Sequence, residues 1–180
     1  MKNQDRARNY ELARMHMEQS IGKPINHEMI KNLHTIVMGS SEVIGYRKMG
    51  ACVRNEFSGE KRYLAPDPFS YDIQMLMDKL LLSYDQPLSK IEKAARIHWG
   101  MVKIHPFQDG NGRTARLLTL LVLRNNGYTD LDCQRLEEYF QAHRKLYDDS
   151  LDDGNVSFQN FDNVSLNFIR FLQEGLKQNP

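Results

Sequence analysis

His105 to Arg116 reads HPFQDGNGRTAR, and the run behind it, Leu117 to Arg124, reads LLTLLVLR. An apolar run that follows a glycine-rich turn predicts a helix over Gly112–Asn126, buried on most sides and stopped by Asn126-Gly127. Two arginines, Arg113 and Arg116, stand at the mouth of that helix. Cations in a first turn oppose the helix dipole by about 0.3–1 kcal/mol each, and beside a buried helix they also lose water. A local rule broken twice points to a bound partner for both charges. Two partners are open: an anionic ligand, or acidic side chains from elsewhere in the fold.

The turn itself favours the anion. Asp109-Gly110-Asn111-Gly112 sets two glycines around an asparagine, a composition that tolerates left-handed backbone and can aim successive N–H groups at one point. Because a helix begins at once, its unpaired N–H groups face the same point, which suits phosphate. Arg113 and Arg116 are three apart and share a face, so both guanidinium groups can take phosphate oxygens there. A lone carboxylate such as Asp109 beside a phosphate nest is the usual kind of protein ligand for Mg²⁺. Calcium does not fit, since an EF-hand count from Asp109 places Arg113 and Leu120 where carboxylates are needed. His105 lies four residues before Asp109, held extended by Pro106, and an imidazole there can act as a general base near neutral pH. Phe107 reads as an apolar peg for the loop, and His98, on the face of Ala95 and Val102, as a core residue or one that backs a site residue. No Walker A lysine motif, kinase signature or Gly-x-Ser-x-Gly occurs.

Outward from the loop, helix-period segments account for most of the chain. Helices are predicted over Gln4–Gln19, Asn26–Met38, Ser70–Ser83, Ser89–Lys103, Gly112–Asn126, Asp132–Leu151 and Phe161–Gln173. Ser89-Lys-Ile-Glu92 is a capping box, with Pro87 just before it. The class is mainly α. Tyr46 to Pro66 breaks the pattern: Ser58-Gly59 separates two short runs holding Cys52, Val53, Phe57, Tyr63 and Leu64, which predicts a lone hairpin. Such a hairpin is marginal alone and either leans on the helices, offers an edge to another strand, or is a solvated connector.

The 180 residues, 41% hydrophobic and 26% charged, suffice for one globular domain with a substantial core. Residues 1–180 are read as a single domain with a core of about 26–173 and an N-terminal helix, 4–19, packing on or beside it. A formal net charge of +1 shows no nucleic-acid field, so any attraction for an anion is local. Cys52 and Cys133 form no disulfide or zinc pattern, and the longest apolar stretch falls far short of the roughly 20 residues that span a bilayer. A soluble, cytoplasmic protein is expected, without nucleic-acid or membrane partners.

At every defined position the twelve residues match H-P-F-x-(D/E)-G-N-G-R-x-x-R, and the chain resembles the Fic domain family. The similarity extends through Leu33-His34, Tyr46-Arg47, Ala65-Pro66, AARIHWGMVKI (94–104) and NFIRFLQ (167–173). It implies a Fic-type helical bundle with one short β-hairpin flap, acting as a protein adenylyltransferase: AMP passes from MgATP to a Ser, Thr or Tyr hydroxyl of a target protein, and pyrophosphate leaves. By the same resemblance His105 is the base, and Asp109 holds Mg²⁺. Gly110, Asn111 and Gly112 line the α-phosphate, and Arg113 and Arg116 hold the β- and γ-phosphates. The flap, about 52–65, would receive the target segment as an added strand. In relatives a Tyr-Tyr pair and an Asn bind the base; the matching positions are Tyr147 and Asn155, with Asp148 replacing the second Tyr. Many relatives also carry an inhibitory (S/T)-x-x-x-E-(G/N) helix, but no Ser or Thr here has Glu four residues later. The nearest approach, RFLQEG (170–175), reads as structural. Inhibition is then expected from a separate antitoxin-like partner, in a toxin–antitoxin setting, with action in another cell if the protein is delivered. The same scaffold can transfer UMP, phosphate or phosphocholine, or remove AMP. The phosphotransferase branch has Ala and Lys where this chain has Gly110 and Gly112. A nucleotide-binding regulator without turnover is the reading from another class.

Overall fold

The structure, a computed structural model, describes residues 2–54, 61–151 and 164–177. Its elements in chain order are α1 (Lys2–Glu18), α2 (His27–Met38), β1 (Cys52–Arg54), β2 (Lys61–Leu64), α3 (Ile73–Tyr84), α4 (Lys90–Ile104), α5 (Asn111–Asn125), α6 (Asp130–Ala142), α7 (Arg144–Ser150) and α8 (Leu166–Leu176). The fold is mainly α, as the periodicity predicts. Helix α5 is its axis: Leu117, Leu118, Leu120, Leu121, Val122 and Leu123 have no exposed surface. An all-round apolar helix is stable only inside a shell of others, and α1, α2, α4 and α6 all pack on it. Helix α4 runs into α5 through the 105–110 loop, so the motif is the hinge of the most extensively packed helix pair.

Local signals set the ends. Ser89 and Glu92 form the capping box of α4, and Thr129 with Asp132 forms a second one on α6 that the periodicity alone does not reveal. Helix α3 starts later than Ser70, because Asp67 ties Phe69 and Ser70 into a turn and Asp72 caps Gln74 and Met75. The single helix expected over Asp132–Leu151 is two helices, broken at His143 (φ −119, ψ 40), whose Nδ1 lies 3.2 Å from the Tyr139 carbonyl and whose ring stacks on Tyr139. Gly175 in α8 lets that helix close on α6, since a Cβ there would come within 2.6 Å of Leu136. Neighbouring Glu174 pairs with Lys177 at the surface, so RFLQEG is a packing element. The predicted start at Phe161 and the hairpin residues Phe57, Ser58 and Gly59 lie outside the described residues.

The hairpin exists as expected: Cys52 pairs with Leu64, Val53 with Tyr63 and Arg54 with Lys61, with an irregularity between Val53 and Arg54. It does not stand alone. Arg47 grips its base by donating to the carbonyls of Met49 (2.8 Å) and Pro66 (2.6 Å). Among the described residues no helix is long and apolar enough to cross a membrane.

Candidate active site

His105 ends α4 in a left-handed conformation, φ 52 and ψ 58, with its N–H donating to the Met101 carbonyl at 3.1 Å. It is the one described non-glycine residue with positive φ. The extended backbone expected from Pro106 is therefore corrected. Tertiary bonds override the local preference, for the Arg47 Nε donates to the His105 carbonyl at 2.7 Å and the Arg47 N–H to the Pro106 carbonyl at 2.8 Å. Arg47 also donates to the Ile104 carbonyl at 3.3 Å, placing a buried cation at the negative end of α4. Sequence reading missed this role; Tyr46-Arg47 was visible only as part of a resemblance. Strain of this kind is found where a side chain must be aimed. Burial pushes the His105 imidazole down to about 4, with Arg47 in the same direction and the Val102 carbonyl and Asp109 against it. At neutral pH the ring is uncharged and able to accept a proton. Its Nδ1 is buried without a well-formed hydrogen bond, which leaves Nε2 as the nitrogen for an incoming group.

The loop beyond is closed by its own side chains. Phe107 is fully buried and stacks on His34 with ring centroids 3.6 Å apart. Asn111 accepts from the Phe107 N–H (3.0 Å) and donates to the Phe107 carbonyl (2.8 Å). Its side chain thus faces inward and braces the turn, so only its backbone remains for a ligand. Gly110 sits at φ 79 as the N-cap of α5, and a Cβ there would lie 2.8 Å from Met38 Sδ and 2.9 Å from His34 Cε1. No other residue fits both demands. Thr114 donates to the Gly110 carbonyl at 3.0 Å and meets His34 Nδ1 at 3.1 Å, which completes the brace. Gly112 differs: nothing lies within 4 Å of where its Cβ would be, so the first turn of α5 leaves open space.

The charges converge on that space. Asp109 is 61% exposed; its Oδ1 accepts from the Gly110 N–H at 2.6 Å, and its Oδ2 lies 3.7 Å from Arg113 and 4.0 Å from Arg6. Arg113 donates to the Val37 carbonyl at 3.1 Å, and burial, with Arg6 and Arg116, holds its guanidinium below the usual value against Asp109. Among the described residues Arg116 forms no ion pair with a carboxylate; its guanidinium lies 6.0 Å from the Tyr10 ring centroid. Both motif arginines border one cavity of about 490 Å³, together with Arg6, Tyr10 and Glu11 of α1 and Glu137 of α6. The contribution of α1 was not readable, because its residues carry no motif. A single exposed carboxylate, with no cluster of three or more His, Cys, Asp or Glu among the described residues, fits a metal that takes its other ligands from water and phosphate.

Tyr147 stands apart from this cavity. Its hydroxyl lies 2.8 Å from His98 Nε2, whose Nδ1 lies 2.8 Å from Thr119 Oγ1, and its ring packs against Phe140 at 5.1 Å. The half-buried side chain thus lies against Phe140, which does border the cavity. Asn155 lies outside the described residues. His98 is fully buried, as expected of a core histidine.

Three imidazoles, His34 and His98 buried and His105 half-buried, give a pH dependence with a definite sign. Burial is the largest cause in each case and pushes His34 and His105 to about 4 and His98 to about 3. The unfolded chain, with histidines near 6.5, binds more protons between that pH and the folded values, so stability is complete above about 6.5 and declines as pH falls. Glu137, raised by burial, opposes this as one group against three. Melting at pH 5 is expected at least about 4 °C below melting at pH 7.5; equal values would contradict the buried, neutral assignment.

The Fic/DOC family profile matches residues 24–123, more than half of the chain, and the chain belongs to that family. The protein adenylyltransferase fic-1 of Caenorhabditis briggsae is 31% identical over 133 residues, covering 73% of this chain and 25% of its own. The protein adenylyltransferase Fic of Nematostella vectensis is 44% identical over 64 residues, 36% of this chain and 15% of its own. The chain thus spans a quarter or less of the length of these relatives. A Fic family protein from Desulfovibrio desulfuricans superposes with a TM-score of 0.75 over 95% of this chain and 50% of its own, at 23% identity. A Fic domain containing signaling protein from Bacteroides thetaiotaomicron does so at 0.61, over 96% and 70%, at 22% identity. These two likenesses concern the fold.

Proposed function

We propose that the chain is a protein adenylyltransferase, moving AMP from ATP to a Ser, Thr or Tyr hydroxyl of a target protein. One observation carries this reading: an uncharged, strained His105 stands beside the α5 N-terminus, where exposed Asp109 adjoins a cavity bordered by Arg113 and Arg116. The adenylyltransferase names of the relatives support it. His105 Nε2 accepts the proton of the target hydroxyl as its oxygen attacks the α-phosphorus; the bond from that phosphorus to the bridging oxygen breaks, and pyrophosphate leaves. In this reading the backbone N–H groups of Asn111 and Gly112 take the α-phosphate, joined by that of Gly110 when Asp109 Oδ1 releases it, while Arg113 and Arg116 hold the departing phosphates. Asp109 would hold Mg²⁺, which neutralises phosphate charge. The protein's part is alignment and charge, as in phosphoryl transfer generally.

The β1–β2 hairpin, clamped by the same Arg47 that fixes His105, is the natural edge for a target segment. Arg116, with no acidic partner among the described residues, is open to a glutamate from an inhibitory partner protein. Arg116→Ala is expected to weaken MgATP binding by tenfold or more, while the stability of the ligand-free chain stays level or rises. A loss above about 2 kcal/mol would make Arg116 structural instead. The function is tested by incubating the full chain with cell lysate and ATP labelled at the α- or the γ-phosphate. Protein label from the α-position alone supports the reading; label from the γ-position, from UTP instead of ATP, or from none overturns it.

A further inference from the structure

We propose that Arg6, on α1 and outside the matched residues 24–123, is a third phosphate-binding arginine that grips the leaving diphosphate portion of the nucleotide once Asp109 turns to its metal. This rests on the nucleotide-binding reading above. Asp109 Oδ2 is shared by two guanidinium groups, Arg113 at 3.7 Å and Arg6 at 4.0 Å. One carboxylate cannot neutralise two cations, and Arg6 and Arg116 both press on Arg113. When Asp109 is engaged elsewhere, Arg6 and Arg113 are left beside each other on the rim of a cavity of about 490 Å³, within the size range of small-ligand sites. A polyanion relieves that repulsion.

The acidic residues of the cavity do not fill this place. Glu137 is held by Arg14 at 2.9 Å and by the Tyr10 hydroxyl at 2.9 Å. Glu11, the other carboxylate on the cavity wall, forms no ion pair with Arg6 or Arg116 among the described residues. Nor does Arg6 hold the fold together, for its side chain is 61% exposed and its one ion pair among the described residues is the 4.0 Å contact. Its helix, by contrast, is firmly seated through fully buried Ala13, nearly buried Met17 and the Arg14 pairs with Asp130 and Glu137. An exposed head on a fixed helix, 4.0 Å from the Asp109 carboxylate, is suited to exchange a carboxylate for phosphate.

The test is calorimetric titration of the full chain and its R6A, R6Q and R6K variants with Mg²⁺ and the α,β-methylene analogue of ATP, and with AMP. Arg6→Ala and Arg6→Gln should bind the triphosphate analogue about tenfold more weakly, Arg6→Lys should recover part of that, and AMP affinity and melting temperature should stay within twofold and about 1 °C. Equal binding of the analogue by R6A and the unaltered chain overturns the assignment while leaving the adenylyltransferase reading intact. Parallel loss for AMP, or a fall in melting temperature, also overturns it by making Arg6 structural. If the unaltered chain binds neither ligand, both readings fall.

Discussion

His105→Ala is expected to lower AMP transfer by about 10²–10⁴-fold while MgATP affinity changes by no more than a few-fold. The two quantities separate because the imidazole acts on the proton of the acceptor hydroxyl, whereas the phosphates are held by α5 and its arginines. The fold should survive the change, since the bonds that fix this residue run to its backbone: Arg47 donates to the His105 carbonyl, and the His105 N–H donates to Met101. Removing the ring also removes a buried group that resists protonation, so the variant should lose part of the instability expected below pH 6.5. Nucleotide affinity falling in step with rate would show that His105 holds the nucleotide instead.

Arg47→Ala should have the largest effect on stability, about 3–5 kcal/mol in denaturant unfolding, with a matching loss of activity. The side chain is 5% exposed and donates to carbonyls of Met49, Pro66, Ile104 and His105, joining the hairpin base to the end of α4. Truncation removes this donor from all four oxygens, those of Pro66 and Ile104 in buried bonds, and frees His105 from its left-handed backbone. Arg47→Lys should recover only part of the loss, because one ammonium cannot reproduce a planar fork spread over several acceptors. A change below about 1 kcal/mol for Arg47→Ala would mean that the clamp is incidental.

What could be read in the chain alone follows from the range of the forces involved. The α5 apolar run, the Ser89 box and the Asn126-Gly127 stop are local, and each appears where its pattern places it. The placing of Arg113 and Arg116 on one cavity, with Asp109 3.7 Å from Arg113, was legible for the same reason, as the three lie within about two helical turns of one another. Longer-range contacts were not legible. Arg47 looks like any charge in a polar connector until the α4 carbonyls are brought to it, and the same clamp reverses the backbone that Pro106 would favour at His105. Asn111 reads as part of a phosphate turn, but its amide closes on Phe107. Tyr147 aligns with a base-binding position, and its half-buried side chain is held by His98, distant in sequence, and by Phe140 on the preceding helix. Arg6 reached the site only through the packing of α1 on α2 and α5.

The central claim is that the turn from His105 to Arg116 and the cavity beside it bind a nucleoside triphosphate through backbone N–H groups and paired guanidinium groups. Equilibrium titration of the full chain with Mg²⁺ and a non-transferable ATP analogue, repeated on a variant combining Arg113→Ala and Arg116→Ala, measures this without knowledge of the target protein. The account requires saturable binding by the unaltered chain, weakened at least a hundredfold in the double variant, which must remain folded. Absent binding, or binding indifferent to both substitutions, would contradict it.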